Sequence, residues 1–351
     1  MKEKIIILEK FISKNFLVFL ILSYILALLL PSFGQHIRNI SVGKVFWFDG
    51  STLSLTLPLL MLAFVLFNAG LGVKISEIKE IIKNPKLIIL GLLANSLIPI
   101  IFIFSISNFL HIYLSFSQAQ STILGLALIA SMPIAGSSSA WAQNSNGNLS
   151  LSLGLVLGST LLSPLTTPWV LKLLASLAEG DYALKLSQVA DTGTNSFLLL
   201  SVVIPSLAGI IAAQFIGEEK ISRLKPFLRL SNAANMLLLI YSNASAVLPE
   251  AFFKPDPKFL FASLIISLSL CALAFGGGLV LSKILKVPPA ERSALVFGLG
   301  MNNNGTGLVL ASLVLSEYTS ILLPIIFYNL GQQFIAGLID SLLFSKKATQ
   351  T

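Results

Sequence analysis

Stretches of about twenty apolar residues recur along almost the whole of this 351-residue chain, each long enough to cross a hydrocarbon core of about 30 Å as a helix. Ten such stretches fit, at approximately 15–34, 52–72, 87–107, 120–143, 149–174, 196–217, 230–249, 259–282, 293–315 and 320–344. In lipid a backbone must satisfy its own N–H and C=O groups, so segments of this kind fold as helices. The expected architecture is therefore an all-α polytopic membrane protein with ten transmembrane helices. Composition agrees: 55% of the residues are hydrophobic, 11% are charged and the mean hydropathy is +0.88, which excludes water as the main solvent.

The net charge of +8 does not point to nucleic acid, because the Lys and Arg residues sit in short clusters between apolar stretches rather than on one basic face. With both termini in the cytoplasm, seventeen of them lie inside and six outside, the asymmetry that the positive-inside rule favours. The inside clusters include Lys74, Lys79, Lys83 and Lys86, then Lys220, Arg223, Lys225 and Arg229, and finally Lys346 and Lys347. The first apolar stretch is too long for a cleaved signal, and Pro31-Ser32-Phe33-Gly34 is a poor cleavage site, so it is read as a retained span. The single cysteine, Cys271, lies deep in an apolar stretch and reads as a small core residue. The Lys/Ile/Asn-rich composition and short loops suggest a bacterial inner membrane.

Half-way along, the pattern repeats. Met61-Leu-Ala-Phe-Val-Leu-Phe-Asn68-Ala-Gly70 matches Met236-Leu-Leu-Leu-Ile-Tyr-Ser-Asn243-Ala-Ser245 at an offset of 175. Two halves with five crossings each, 1–180 and 190–351, would run oppositely through the membrane, and inverted repeats of this kind characterise secondary transporters.

Two of the apolar stretches are interrupted. The fourth contains Met132-Pro133-Ile-Ala-Gly136-Ser137-Ser138-Ser139, and the ninth contains Gly298-Leu-Gly300-Met301-Asn302-Asn303-Asn304-Gly305-Thr306-Gly307. Proline removes a backbone donor, and each glycine costs a helix roughly 1 kcal/mol relative to alanine. Three consecutive asparagines cannot all share one helix face and would be costly against lipid, so they face protein, water or ligand. Unwound backbone at that depth lines a cavity or lies buried in protein, and its helix ends offer N–H groups to anions and C=O groups to cations. Small residues that allow close helix packing are the plainer reading of the glycines and serines. Pro164, Pro168 and Pro205 read as kinks. Asn68, Asn95 and Asn243 read as caps, cross-bundle bonds or ligand contacts, and Trp47, Trp141 and Trp169 as interfacial anchors.

These residues resemble the bile acid:sodium symporter family. The resemblance runs through Gly70-Leu-Gly72, the Lys/Glu turn ending at Asn84-Pro85, Pro133 with its serines, Asn146-Gly147-Asn148, and Gly300-Met301-Asn302-Asn303. It implies two inverted five-helix repeats, a panel and a core domain each drawn from both repeats, and broken fourth and ninth helices that cross. It also implies sodium as coupling ion and a small organic anion as substrate. By position, Ser138, Ser139 and Ser152 would supply oxygens to one sodium ion, and Asn95, Met301 and Asn302 would line a second. Asn303 would face the substrate cavity, with Asn304, Ser137, Asn243 and Gln333 as further candidate substrate contacts. Two positions depart from the family pattern: Gly298 stands where sodium-coupled members usually carry an acidic residue, and Val156 where a threonine is expected.

Other functions fit less well. A channel would more often show charged rings or a repeated pore motif. Intramembrane hydrolysis at Ser137, Ser138 or Ser139 would need a base within reach, and no His or Lys is expected at membrane depth. His36 and His111 are expected in outer loops, and Glu250, Glu317 and Asp340 near ends, so no proton relay is legible. The longest hydrophilic segment, around 175–195, is too short for a signalling domain. Sodium-independent exchange or facilitated diffusion of organic anions remains the main alternative to sodium symport.

Overall fold

The structure, a computed structural model, describes residues 2–46, 52–73, 85–253, 256–315 and 317–344. Trp47, Lys74, Lys79, Lys83, Asn84, Lys346 and Lys347, singled out above, lie outside the described residues.

Helix α1 (Lys2–Lys14) meets α2 (Phe16–Leu29) at 76°. Pro31, which cannot donate into a continuing helix, opens α3 (Pro31–Asn39). Two strands, β1 (Ser41–Phe46) and β2 (Thr52–Thr56), then pair antiparallel. The Thr56 hydroxyl accepts from Leu59 N and caps α4 (Leu57–Leu71). Next come α5 (Pro85–Tyr113), α6 (Phe116–Ser131), α7 (Ser137–Asn144), α8 (Leu149–Ala175, capped by the Asn148 side chain) and α9 (Gly180–Gln188). Two single π-turns, Val189–Gly193 and Leu199–Val203, flank α10 (Thr194–Leu198) before α11 (Ile204–Ile216). The remaining helices are α12 (Glu218–Ala244), α13 (Leu248–Phe253), α14 (Pro257–Ile284), α15 (Pro289–Gly300), α16 (Asn304–Val314) and α17 (Leu322–Ile339).

Among the described residues, five helical segments are long and apolar enough to cross a membrane: α5, α8, Thr194–Ile216, α14 and Thr319–Phe344; the α1–α2 pair, bent by 76°, would count as a sixth only if it formed a single span. The chain is thus a helical, multi-pass membrane protein. Several expectations need correction. The second apolar stretch begins as a strand, because Thr52, Leu53, Ser54, Leu55 and Thr56 alternate polar and apolar residues before α4 opens at Leu57 with Pro58 in its first turn. The basic cluster Lys220–Arg229 is helical, as α12 starts well before its apolar part. His36 lies within α3 and His111 in the last turn of α5, not in loops. No correction arises at Pro164 and Pro168, where kinks are expected: α8 runs on through both, and the Ser163 hydroxyl donates to Thr160 O at 2.7 Å, replacing the hydrogen bond that Pro164 cannot make.

The chain divides into two compact units, each assembled from three separate segments. The first comprises Met1–Lys74, Thr192–Pro255 and Leu308–Thr319. In it α4 and α11 approach backbone to backbone at Gly70 and Gly209, while α3 meets the end of α12 where Gly34 faces Ser245. Side chains tie the same helices: Asn68 Nδ2 donates to Asn232 Oδ1 at 2.8 Å, Asn235 Nδ2 to Met61 O at 2.7 Å and Tyr241 OH to Leu30 O at 2.6 Å. Burial lowers the pKa of the Arg38 guanidinium, which reaches Ser312 O.

The second unit comprises Ile75–Asp191, Asp256–Gly307 and Ser320–Thr351. Its core forms where Leu151 and Leu155 of α8 and Leu295 and Leu299 of α15 pack around Ile134, flanked by Leu92 and Ile98 of α5. Helix α14 packs along α15 and α17, and Cys271 is fully buried on its inner face.

Candidate functional site

Both interruptions lie in the second unit, and there they meet. The non-helical residues between α6 and α7 pair with those between α15 and α16 as a minimal antiparallel bridge, Ile134 opposite Asn302. Ala135 N donates to Met301 O and Asn303 N to Pro133 O, each at 2.8 Å. Each break thus supplies donors to carbonyls that the other has freed. The accounting continues outward: Asn302 Nδ2 caps Ile129 O at the end of α6 (3.1 Å), Thr167 Oγ1 donates to Ser131 O (2.6 Å), and Tyr328 OH donates to Gly300 O at the end of α15 (3.2 Å). Ile134 N finds Ser159 Oγ at 3.0 Å.

Around this joint, polar side-chain atoms are buried without partners among the described residues: Ser137 Oγ, Ser138 Oγ, Asn302 Oδ1, Asn304 Oδ1, Thr306 Oγ1 and Asn95 Oδ1. Native interiors rarely leave such atoms unsatisfied, and where they do a ligand, ion or water is the usual explanation. The set consists of neutral oxygens, the donor type that hard cations take. No cluster of three or more His, Cys, Asp or Glu side chains forms among the described residues, so a carboxylate-rich cage is not what this site offers. The C-terminal ends of α6 and α15 contribute negative dipole ends, and the N-termini of α7 and α16 positive ones.

The structure separates the candidates singled out in the sequence. Ser152 Oγ on α8 donates to Ser139 Oγ at 3.0 Å, which joins two of the three serines, and Ser138 is fully buried beside them. Met301 is buried, and its carbonyl already accepts from Ala135. Asn303 is half-buried, and its Oδ1 accepts from Thr306 N at 3.3 Å as a cap for α16. Asn95 lines a small pocket with Ser131, Pro133, Ser159 and Thr166. Asn243 belongs to the first unit, where its Nδ2 donates to Leu239 O and its Oδ1 accepts from the Ser312 hydroxyl.

Gln333 is occupied by Trp141, whose indole donates to it at 3.3 Å and stacks on Phe297 at 5.9 Å. Its neighbour Gln332, which the sequence reading passed over, holds the joint instead. Gln332 Oε1 accepts from both Asn302 N (3.1 Å) and Asn304 Nδ2 (3.0 Å), and Nε2 donates to Asn329 Oδ1. The signal was present as Tyr328, Asn329 and Gln332 at helical spacing in an apolar segment; Gln333 points about 100° away from Gln332. Gly298 also acquires a physical setting: a Cβ there would lie 3.0 Å from Leu155 Cδ1, so this leucine borders the space that an acidic side chain would need.

The family model for the Sodium Bile acid symporter family matches residues 59–249, more than half of the chain and inclusive of the first break. The chain belongs to this family. Among its relatives, the Bacillus subtilis (strain 168) protein YbaS, described as uncharacterized, is 28% identical over 80% of this chain and 86% of its own length. The same organism's YocS, described as an uncharacterized sodium-dependent transporter, is 23% identical over 79% of this chain and 81% of its own. The rice protein described as a probable sodium/metabolite cotransporter, BASS1, chloroplastic, is 26% identical over 72% of this chain and 57% of its own. In this member of the sodium bile acid symporter family, the joint between the two breaks is built from amides, hydroxyls and backbone.

Proposed function

We propose that this protein is a secondary transporter that carries a small organic anion together with sodium, by alternating access at the crossing of its two broken helices. The observation that carries the reading is the reciprocal pairing of the breaks, Ala135 with Met301 and Asn303 with Pro133, beside buried oxygens without partners among the described residues. Such unwound backbone is tolerated at membrane depth where it lines a binding cavity. Sodium would be held by Ser138, Ser139 and Ser152, with Asn95, Met301 and Asn302 lining a second position. The anion would face Asn303, Asn304 and Ser137 at the positive ends of α7 and α16. Names of relatives that mention sodium-dependent transport support the coupling.

The ten-span inverted repeat is part of the same proposal. Gly34 and Gly209 stand 175 residues apart, as do Gly70 and Ser245, and the close contacts pair Gly70 with Gly209 and Gly34 with Ser245. A two-fold pseudosymmetry between residues 1–180 and 190–351 would generate one contact from the other. We read the first compact unit as the panel domain and the second as the core, and place the protein in a bacterial inner membrane with both termini cytoplasmic. Hydrolysis finds no support at the serines, since the polar group bonded to Ser139 is another hydroxyl rather than a base.

Unfolding of the detergent-purified protein in NaCl, compared with equimolar KCl and choline chloride, tests the reading. Sodium at about ten times its Kd adds roughly 1.4 kcal/mol. A sodium-specific rise in Tm that Ser139→Ala abolishes supports symport. Equal Tm values in all three salts would favour the second reading, sodium-independent exchange or facilitated diffusion, which the carboxylate-free site beside Gly298 and Leu155 suggests.

A further inference from the structure

Helix α1 is both amphipathic and bent away from the first apolar helix. Its axis meets that of α2 at 76°, so α1 does not extend the path of α2. At about 100° per residue, Ile7, Phe11 and Leu8 fall within one sector of its surface, and all three are exposed (68%, 56% and 47%). Lys4 lies within that sector, and Lys10 and Lys14 run along one edge; all three lysines are exposed. The opposite face is fixed, since Glu9 is buried and pairs with Arg229 of α12 at 3.6 Å; within the exposed sector, Phe11 meets Phe19 of α2 edge to face.

Helix α12, on which α1 packs, repeats the chemistry in its first turns. Lys220, Arg223 and Lys225 alternate with the exposed Leu224 and Phe227. From Lys4 onward the two helices carry seven cations against three carboxylates. Charged groups in this number cannot cross hydrocarbon, and exposed aromatic and aliphatic groups beside them are costly in water. A surface of both kinds suits the boundary where headgroups meet acyl chains, since lysine stems lie along the apolar layer while their ammonium groups reach phosphate.

We propose that α1 and the first turns of α12 form a docking surface for anionic phospholipid headgroups, with Ile7, Leu8 and Phe11 seated in the upper acyl layer. The occupant is identified by charge complementarity, which a zwitterionic surface or a second copy of the same basic face does not provide.

The test uses the full chain in nanodiscs of phosphatidylcholine alone or with phosphatidylglycerol, carrying a spin label at Phe11→Cys or Lys10→Cys in a Cys271→Ala background. The label at 11 is expected to collide with oxygen rather than a nickel chelate, at about 5–10 Å below the phosphates, and the label at 10 to collide with nickel. Native mass spectrometry should show phosphatidylglycerol retained over phosphatidylcholine, and Lys4/Lys10/Lys14→Gln should lose that preference with an unchanged Tm in phosphatidylcholine. A label at 11 that is freely accessible to nickel, or shielded from both probes by a second copy, overturns the proposal. Equal retention of the two lipids by the unsubstituted protein overturns it as well.

Discussion

Gly70 and Gly209 are locked against one another: a Cβ on Gly70 would lie 2.1 Å from Ser206 O, and a Cβ on Gly209 would lie 2.1 Å from Phe67 O. Neither obstacle is a flexible side chain, so relief requires the helices to separate. Overpacking of this kind costs about 1–3 kcal/mol, and Gly70→Ala or Gly209→Ala should lower the Tm accordingly. Gly276→Ala on α14, where a Cβ meets nothing within 4 Å, should leave the Tm unchanged or raise it slightly. Thermal unfolding of the three variants in one detergent decides; equal behaviour would show that α4 and α11 yield freely.

Gln332 and Gln333 make an internal comparison of adjacent, identical side chains. Gln332→Ala strands two donors at the joint, Asn302 N and Asn304 Nδ2, and should cost about 2–4 kcal/mol. Gln333→Ala removes one long bond from a half-buried indole and should cost under about 1 kcal/mol. The order of the two Tm values is the measurement, and its reversal would mean that Gln333 is the residue on which the joint depends.

Restoring a carboxylate at Gly298 should fail on its own and succeed with room made for it. Gly298→Glu presses on Leu155 and is expected to destabilise by about 1–3 kcal/mol. Gly298→Glu with Leu155→Ala should recover part of that loss and show a larger sodium-dependent rise in Tm than the unsubstituted protein. A double-mutant cycle with no coupling between the two positions would show that Leu155 does not occupy the contested space.

Asp256 supplies a pH test outside the membrane. Its carboxylate accepts from Phe259 N as the cap of α14 and from Gln118 Nε2, and both bonds hold its pKa below the ordinary value. A depressed folded-state pKa stabilises above the unfolded value, about 3.9, and the contribution fades as pH falls through the folded value. The stability difference between the unsubstituted protein and Asp256→Ala should therefore be constant near neutrality and shrink below about pH 4. A difference that grows on acidification would contradict the assignment.

Much of the second unit's joint was legible because its signal is chemical. Pro133 beside three serines, and three asparagines among glycines, are incompatible with lipid-facing helix, and both breaks fall where those residues stand. What could not be read depends on facing. Gln332 and Gln333 are indistinguishable by composition and differ only by a rotation about the α17 axis. The β1–β2 hairpin was hidden because Leu53, Leu55 and Leu57 continue one apolar stretch, and apolarity alone does not separate a short strand from the start of a helix. Asn243 was open between a cap, a cross-bundle bond and a ligand contact, and its bonds to Ser312 and Leu239 could not be read from the sequence because Ser312 lies 69 residues away.

The bonds from Ala135 to Met301 and from Asn303 to Pro133 run from main chain to main chain. Side-chain identity at those four positions enters the joint only through the backbone angles it permits. Replacing a neighbouring serine or asparagine therefore leaves these four peptide groups able to pair, so the chemistry beside the joint is free to vary without dissolving the joint itself.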